Sequence, residues 1–359
     1  MDVASPRVLK GSSGRSSAAT PETAGTLRLA WCLRMSHGKK IYLTAVVAAT
    51  FAAAALVVRR NTLRAERLYP AKGKFVEADG VRLHYANSGG EGPAVVLLHG
   101  NGTSASDWEI SGVFCKAGTK YRVIAFDRPG FGHSGCPRGR CWSADAQADL
   151  IKGAIQAIGI ANPIVAGHSW GALVAAALAI RHPQFVKGLV VASGPYFPEF
   201  RPSLFVSSQP AIPILGDALR YTIFPLIGRA IAPWVTRRVF APQAIPAGFK
   251  RCFPMELALR PSQIRATAME SILTVLAAAE LQRLYSAIRV PAVIIAGTDD
   301  KIVDTEKQSM RLYHLIPRSR LRLLSGIGHM VHYFASDAFV EAIDSLASDD
   351  FGLVNPGGH

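Results

Sequence analysis

Acidic residues are scarce in this 359-residue chain: 25 Asp and Glu stand against 40 Lys and Arg, a formal charge of +15. Such a surplus invites a polyanion-binding reading, so its distribution decides its meaning. Thirteen basic residues and three acids, Asp2, Glu22 and Glu66, fall within the first 75 positions and carry +10 of that charge. The body beyond is nearly balanced and has no basic run interleaved with aromatics, which argues against nucleic-acid binding. Cysteine is sparse too. Cys32, Cys115, Cys136, Cys141 and Cys252 form neither a metal spacing nor a disulfide framework. Cys136 and Cys141 are near enough to pair, but a body this large needs no staple, and they read as free thiols. No metal cluster, P-loop or strand-to-helix dinucleotide fingerprint occurs, nor any internal repeat, so no cofactor and no metal is expected.

What the basic N-terminal region does contain is a long apolar run, "IYLTAVVAATFAAAALVV", residues 41–58, without charge, proline or glycine. Lys39, Lys40, Arg59 and Arg60 bracket it. As a helix it would reach about 27 Å, close to the roughly 30 Å of a bilayer's hydrocarbon core. The run is hydrophobic all round and precedes every other fold signal, so it predicts membrane insertion. Two outcomes stay open: a retained single-pass signal anchor, which is the leading expectation, or a signal peptide cleaved near the alanines at 52–55, which would leave the body secreted or periplasmic. Basic residues on both sides leave the orientation undetermined. Residues 1–40 read as a disordered basic segment, with "MSHGKK" from Met35 as the expected true start of translation. Residues 59–74 read as a linker.

Beyond the linker, short β-rich runs alternate with helical patterns. "KFVEAD" and "VRLHYAN" flank Gly80 as a hairpin. The runs at 94–100, 121–127, 163–167, 188–193, 291–297 and 321–325 are nearly continuously apolar, as strands covered on both faces must be. Helices are expected at 143–158 with Ser143 as N-cap, and at 170–181, 305–315 and 335–347. Alternation of this kind specifies an α/β fold with a mostly parallel central sheet and helices on both faces. From Pro195 to about Ile288 the alternation stops, and proline-broken, aromatic-rich helical patterns read as a helical cap inserted over one end of the sheet. The expected layout is a core of 75–194 and 289–347, a cap of 195–288 and a flexible tail of 348–359.

"PIVAGHSWGALVAAAL" (163–178) places Ser169 between a strand and a helix, in a G-x-S-x-G frame. In that context the serine occupies a nucleophile elbow, with Gly167 and Gly171 relieving crowding where strand and helix backbones pass. A serine hydroxyl needs a base to take its proton and an acid to orient the base. Downstream, "TDDKIVD" follows one strand and "SGIGHMVHY" the next, giving the chain order serine, acid, histidine.

With "GHSWG", "HGNG" (99–102) and "DRPGFGHSG" (127–135), residues 75–347 resemble the cap-bearing α/β-hydrolases of the esterase, C–C hydrolase and haloperoxidase-like branch. The resemblance implies a nucleophile at Ser169, an orienting acid at Asp300 rather than Asp299 from the pattern G-x-x-D, and a base at His329 from G-x-G-H. Asp304 reads as a helix cap, and His332 as pocket lining or structural. The oxyanion hole is expected from the backbone N–H groups of Trp170, after the nucleophile, and Asn101, after His-Gly. His99 and His168 read as structural support. Asp127 and Arg128 read as turn-stabilising, with Arg128 also a candidate for the site lining. Serine rather than aspartate at the elbow argues against the epoxide hydrolases and haloalkane dehalogenases of the same fold.

The sequence therefore predicts a membrane-anchored serine hydrolase of an apolar carboxylic ester, acting through an acyl-enzyme. Its partners would be a small ester or related carbonyl substrate and the membrane, with no nucleic acid. Cleavage of a carbon–carbon bond beside a ketone by the same residues is the second reading, and a slow-turnover binding or scaffolding protein is the third.

Overall fold

The computed structural model describes residues 37–199, 207–348 and 351. Cys32, the start at Met35, residues 1–36 of the expected disordered segment and nearly all of the tail lie outside the described residues, while residues 37–40, expected as disordered, are helical because they lead directly into the apolar run. The chain divides into two units, Met1–Ala53 and Ala54–His359. Of the first, only the opening of helix α1 (His37–Leu68) is described. That helix contains the whole run 41–58 and is long and apolar enough to cross a membrane. Residues 59–68, expected as linker, continue it, because "RRNTLRAERL" is built mostly of good helix formers and contains no glycine or proline.

The eight strands are β1 (Lys74–Ala78), β2 (Val81–Asn87), β3 (Ala94–Leu98), β4 (Arg122–Phe126), β5 (Ile164–His168), β6 (Gly188–Ala192), β7 (Ala292–Gly297) and β8 (Ser319–Leu324). They form one sheet in the order β1-β2-β4-β3-β5-β6-β7-β8. The hairpin β1–β2 and the β2–β4 pair are antiparallel, and the rest are parallel. From β3 the chain runs to β4 on one side and then returns to β5 on the other. A crevice opens where the order reverses, at the carboxyl ends of β3 and β5. Strand β8 starts two residues before the apolar signal, since pairing of Ser319 with Ala292 extends it. Backbone partners, not side-chain hydropathy, set that boundary.

Alternation along the strands sorts the core into two layers. Val96, Leu98, Val165, Val191 and Ile294 face one side, under α4 (Ala144–Ala157) and α5 (Trp170–Arg181). Val95, Leu97, Ala166, Val190 and Ile295 face the other, with α3 (Val113–Ala117) and α13 (Ser336–Ala347). Ser143 caps α4 by accepting from the Ala146 N–H at 3.2 Å. The stretch expected as a helix from 305 opens as a π-helical turn, Glu306–Met310, before α11 (Arg311–Leu315). The short helices α2 (Ser106–Ile110), α3 and α12 (Val331–Phe334) are too brief to show a period in the sequence.

Between β6 and β7 the described residues are helical: α6 (Leu215–Arg220), α7 (Phe224–Phe240), α8 (Ala247–Cys252), α9 (Met255–Ala258) and α10 (Pro261–Leu281). Four of the prolines that break the sequence pattern mark where these helices begin, whereas Pro233 lies within α7. Pro225 and Pro261 lie in the first turns of α7 and α10, where the missing N–H costs nothing. Pro246 and Pro254 immediately precede α8 and α9.

Phe339 on α13 is fully buried in the second layer and packs edge-on against Trp108 at 5.6 Å. Phe339→Ala should destabilise the body by about 3–5 kcal/mol, through lost transfer energy and the cavity left behind. A urea titration would read this as a lowered midpoint at nearly unchanged slope.

Candidate active site

Strand β5 ends in a turn that no ordinary loop geometry supplies. Ser169 sits at φ +53°, ψ −121°, a region L-residues rarely occupy, at a cost on the order of 1–3 kcal/mol. The surroundings hold it there. Its N–H donates to the Ala192 carbonyl at 2.8 Å, and its carbonyl accepts from Ala172 at 3.0 Å. A Cβ on Gly167 would come within 2.3 Å of the Gly171 oxygen, and one on Gly171 within 2.2 Å of the Leu98 oxygen. Glycine at both positions is what lets α5 start directly against β3.

The ends of two further strands converge on this hydroxyl. His329, in the loop after β8, places Nε2 3.1 Å from Ser169 Oγ and Nδ1 2.8 Å from Asp300 Oδ2. The other Asp300 oxygen accepts from the backbone N–H groups of Ile302 and Val303 at 2.7 and 2.8 Å, so the carboxylate cannot rotate away. Asp299 turns aside: its side chain pairs with Thr298 Oγ1 at 3.0 Å. Asp304 accepts from the Lys307 N–H at 2.9 Å, as a cap does. The structure thus brings together Ser169, Asp300 and His329, in an arrangement able to move a proton from hydroxyl to imidazole. Trp170 is the first residue of α5, where an N–H has no carbonyl a turn earlier in the helix. Asn101 lines the same cleft as Ser169, and its side-chain amide donates to the Thr267 carbonyl at 3.2 Å.

Arg128 does not line the site. It is wholly buried and organises the loop after β3 from behind. Its Nε donates to the His99 carbonyl at 2.8 Å, and a terminal nitrogen to the Gly100 carbonyl at 3.0 Å. Its charge is met by Glu270 on α10, which also accepts from Gln147 at 3.1 Å. Glu270 escapes sequence reading because nothing local separates it from Glu280 on the same cap helix, and its partner Arg128 lies 142 positions away. His99 accepts from the Arg128 N–H at 3.0 Å and donates through Nδ1 to the Gly100 carbonyl at 2.8 Å. Asp127 is a turn anchor: it accepts from His84 Nδ1 at 2.7 Å and from the N–H groups of Ala105 and His133 at 2.7 and 2.8 Å. Burial alone would raise its pKa, but the His84 hydrogen bond and charge outweigh it and hold the carboxyl below its usual value.

Behind His329 lies a second buried group. His168 Nε2 donates to the His329 carbonyl at 3.0 Å. His332 Nε2 donates to Asp107 at 3.0 Å, and the Tyr333 hydroxyl donates to its other oxygen at 2.6 Å. His332 is therefore structural, and the sequence offered no sign of its partner Asp107. Asp107, His168 and His332 each have a ligand-capable atom within 4.8 Å of the others, the one such trio among the described residues. Its carboxylate is already committed to His332 and Tyr333. Cys136 and Cys141 are both free thiols.

The cleft over Ser169 measures about 420 Å³ and is lined chiefly by apolar cap side chains, Ile231, Val235, Val239, Phe240, Phe249 and Leu259 among them. Of the cap aromatics, Phe240, Phe249 and Phe253 face it, whereas Phe197 packs against Tyr285 and Trp234 points to solvent. Among the described residues, no lysine, arginine, aspartate or glutamate lines it.

The family model for the alpha/beta hydrolase fold matches residues 93–336. A 2-hydroxy-6-oxo-2,4-heptadienoate hydrolase of Pseudomonas putida is 27% identical over 286 residues, covering 77% of this chain and 97% of its own. Lipase 3 of a Moraxella species is 25% identical over 281 residues, covering 76% and 81% respectively. Among solved structures, a bacterial membrane phospholipase A superposes with a TM-score of 0.61 at 24% identity, covering 86% of this chain and 97% of that one. That likeness is one of fold.

Removing Glu270 leaves the Arg128 charge buried and unpaired. Glu270→Ala should cost about 3–5 kcal/mol of stability, against a smaller loss for Glu270→Gln, by denaturant unfolding. A second expectation concerns acid. Burial, reinforced by the Arg128 charge, lowers the His99 pKa from 6.5 to about 3. Burial, then the His332 and His329 charges, lowers that of His168 well below its ordinary value. Both stay neutral in the folded chain while the unfolded chain protonates. Stability should therefore fall as pH drops below about 6.5 toward 3, by up to about 1.4 kcal/mol per pH unit for each histidine. Urea midpoints measured across that range should decline less steeply for His168→Asn.

Proposed function

The chain belongs to the α/β-hydrolase family, and we propose that within it the protein is a membrane-anchored serine hydrolase of apolar carboxylic esters. The observation that carries this reading is the hydrogen-bonded line from Ser169 Oγ through His329 to Asp300, at 3.1 and 2.8 Å, opening into an apolar cleft. Ser169 attacks the ester carbonyl while His329 Nε2 takes its proton, and Asp300 stabilises the imidazolium through Nδ1–H. The N–H groups of Asn101 and Trp170 receive the oxyanion. The imidazolium then protonates the departing alcohol. Water, activated by the same histidine, releases the acid and restores Ser169.

Cleavage of a carbon–carbon bond is the second reading, supported by the similarity to the Pseudomonas hydrolase. Its named substrate is a dienoate, a carboxylate, whose charge a lysine or arginine in the cleft would complement. The absence of lysine and arginine among the described lining residues favours the neutral ester. For the anchor, the support is the uncharged run within α1, long enough to span a bilayer.

A fluorophosphonate probe should label Ser169 in the folded protein, and Ser169→Ala should abolish labelling. A panel of p-nitrophenyl esters of graded chain length should show turnover that Ser169→Ala lowers by on the order of 10⁶-fold and Asp300→Asn by on the order of 10⁴-fold. Unlabelled folded protein would defeat the reading. Ligand response that survives Ser169→Ala without any turnover would favour a binding protein instead.

A further inference from the structure

We propose that the outer face of cap helix α7 is a docking surface for an anionic phospholipid bilayer, the same bilayer that holds α1. The inference rests on the anchored reading above. Helix α7 has 17 residues, of which only Pro225 and Phe240, near its two ends, are buried. Leu226, Ile227, Ile231, Trp234 and Val235 are all exposed, Trp234 by 63%. Their spacing of one, three and four residues gathers them on one side of the helix. The opposite side, with Gly228, Ala232, Thr236 and Val239, lines the cleft over Ser169. A helix that already turns one face to the protein has no internal reason to keep a second apolar face. A contiguous apolar patch of this kind marks an interaction site.

Three features identify the partner as lipid. First, α7 carries no acid and ends in Arg237 and Arg238, which complement anionic headgroups, while its third arginine, Arg229, is paired with Glu256 of α9. An apolar face with one tryptophan and flanking arginines is the composition of helices that lie in the bilayer interface. Second, the patch continues beyond α7. Ile214 and Leu215, at the start of α6, are exposed by 85% and 57%, and Tyr221 between the two helices by 49%. Third, the patch reaches the point where α1 leaves its apolar run. Ala55, Val58 and Thr62 form a groove with Tyr221 and Pro261, and Glu66 pairs with Arg260 at 3.1 Å. The last residues of the apolar run thus lie beside Tyr221 of the cap. Ile231 and Val235 belong both to the exposed face and to the cleft lining, so the docked surface holds the cleft's mouth.

The test uses the full-length protein reconstituted into phosphatidylcholine vesicles with or without about 30% phosphatidylglycerol. Brominated acyl chains should quench Trp234 fluorescence, read as the difference between wild type and Trp234→Phe, and more strongly in the anionic vesicles. A second arm compares Ile227→Glu with wild type. Hydrolysis of a water-soluble short ester should stay unchanged, while hydrolysis of a bilayer-dissolved long-chain ester should fall by about tenfold or more. Quenching does not depend on turnover, so an inactive protein with quenched Trp234 would overturn the hydrolase reading and leave the docking intact. Protein that floats with vesicles while Trp234 stays unquenched overturns the docking. Cross-linking of Ile227→Cys to a second copy would also overturn it, by showing that another protein covers the face. Failure to float overturns the anchor and the docking together.

Discussion

A guanidinium taken wholly out of water must find acceptors for its N–H groups, and Arg128 finds them in three separate parts of the chain. It holds the carbonyls of His99 and Gly100 in the loop after β3, Gln147 on α4 and Glu270 on α10. Because Glu270 belongs to the cap, the cap is tied to the loop that borders Ser169. Trp170 adds a second tie, its indole donating to the Glu270 carbonyl at 3.1 Å. The edge of the sheet that carries Ser169 and the cap are thus joined through buried polar groups.

The elbow obeys a different constraint, that of space. Ser169 pays in backbone strain for its position, and the strain persists because the strand before it and the helix after it have nowhere else to go. The glycine contacts make the point quantitative: at Gly167 and Gly171 a single added carbon would overlap backbone at under 2.5 Å. Parallel strands then do the rest. Their carboxyl ends lie along one edge, so residues that follow β3, β5, β7 and β8 meet there, although nearly 230 positions separate Asn101 from His329.

Core and cap divide the labour accordingly. Ser169, Asp300 and His329 follow strand ends, and Asp300 is held by two backbone N–H groups. The cleft walls come from helices whose outward faces are far less buried.

By itself the sequence determined what local pattern can encode: the alternation that makes the sheet, the strand–turn–helix around Ser169, the order of serine, acid and histidine, and the long apolar run at 41–58. These depend on period, on turn chemistry and on spacing, all of which act over a few residues. The choice of Asp300 over Asp299 was likewise legible, through the G-x-x-D pattern, whereas only the tertiary structure decided that Asp107 engages His332 and that Glu270 meets Arg128 across 142 positions. The same holds for which cap aromatics face the cleft and which apolar residues are left outside on α7. Each of those outcomes is a pairing between distant segments, selected by the close packing and polar satisfaction of the folded chain, and no short window of sequence carries it.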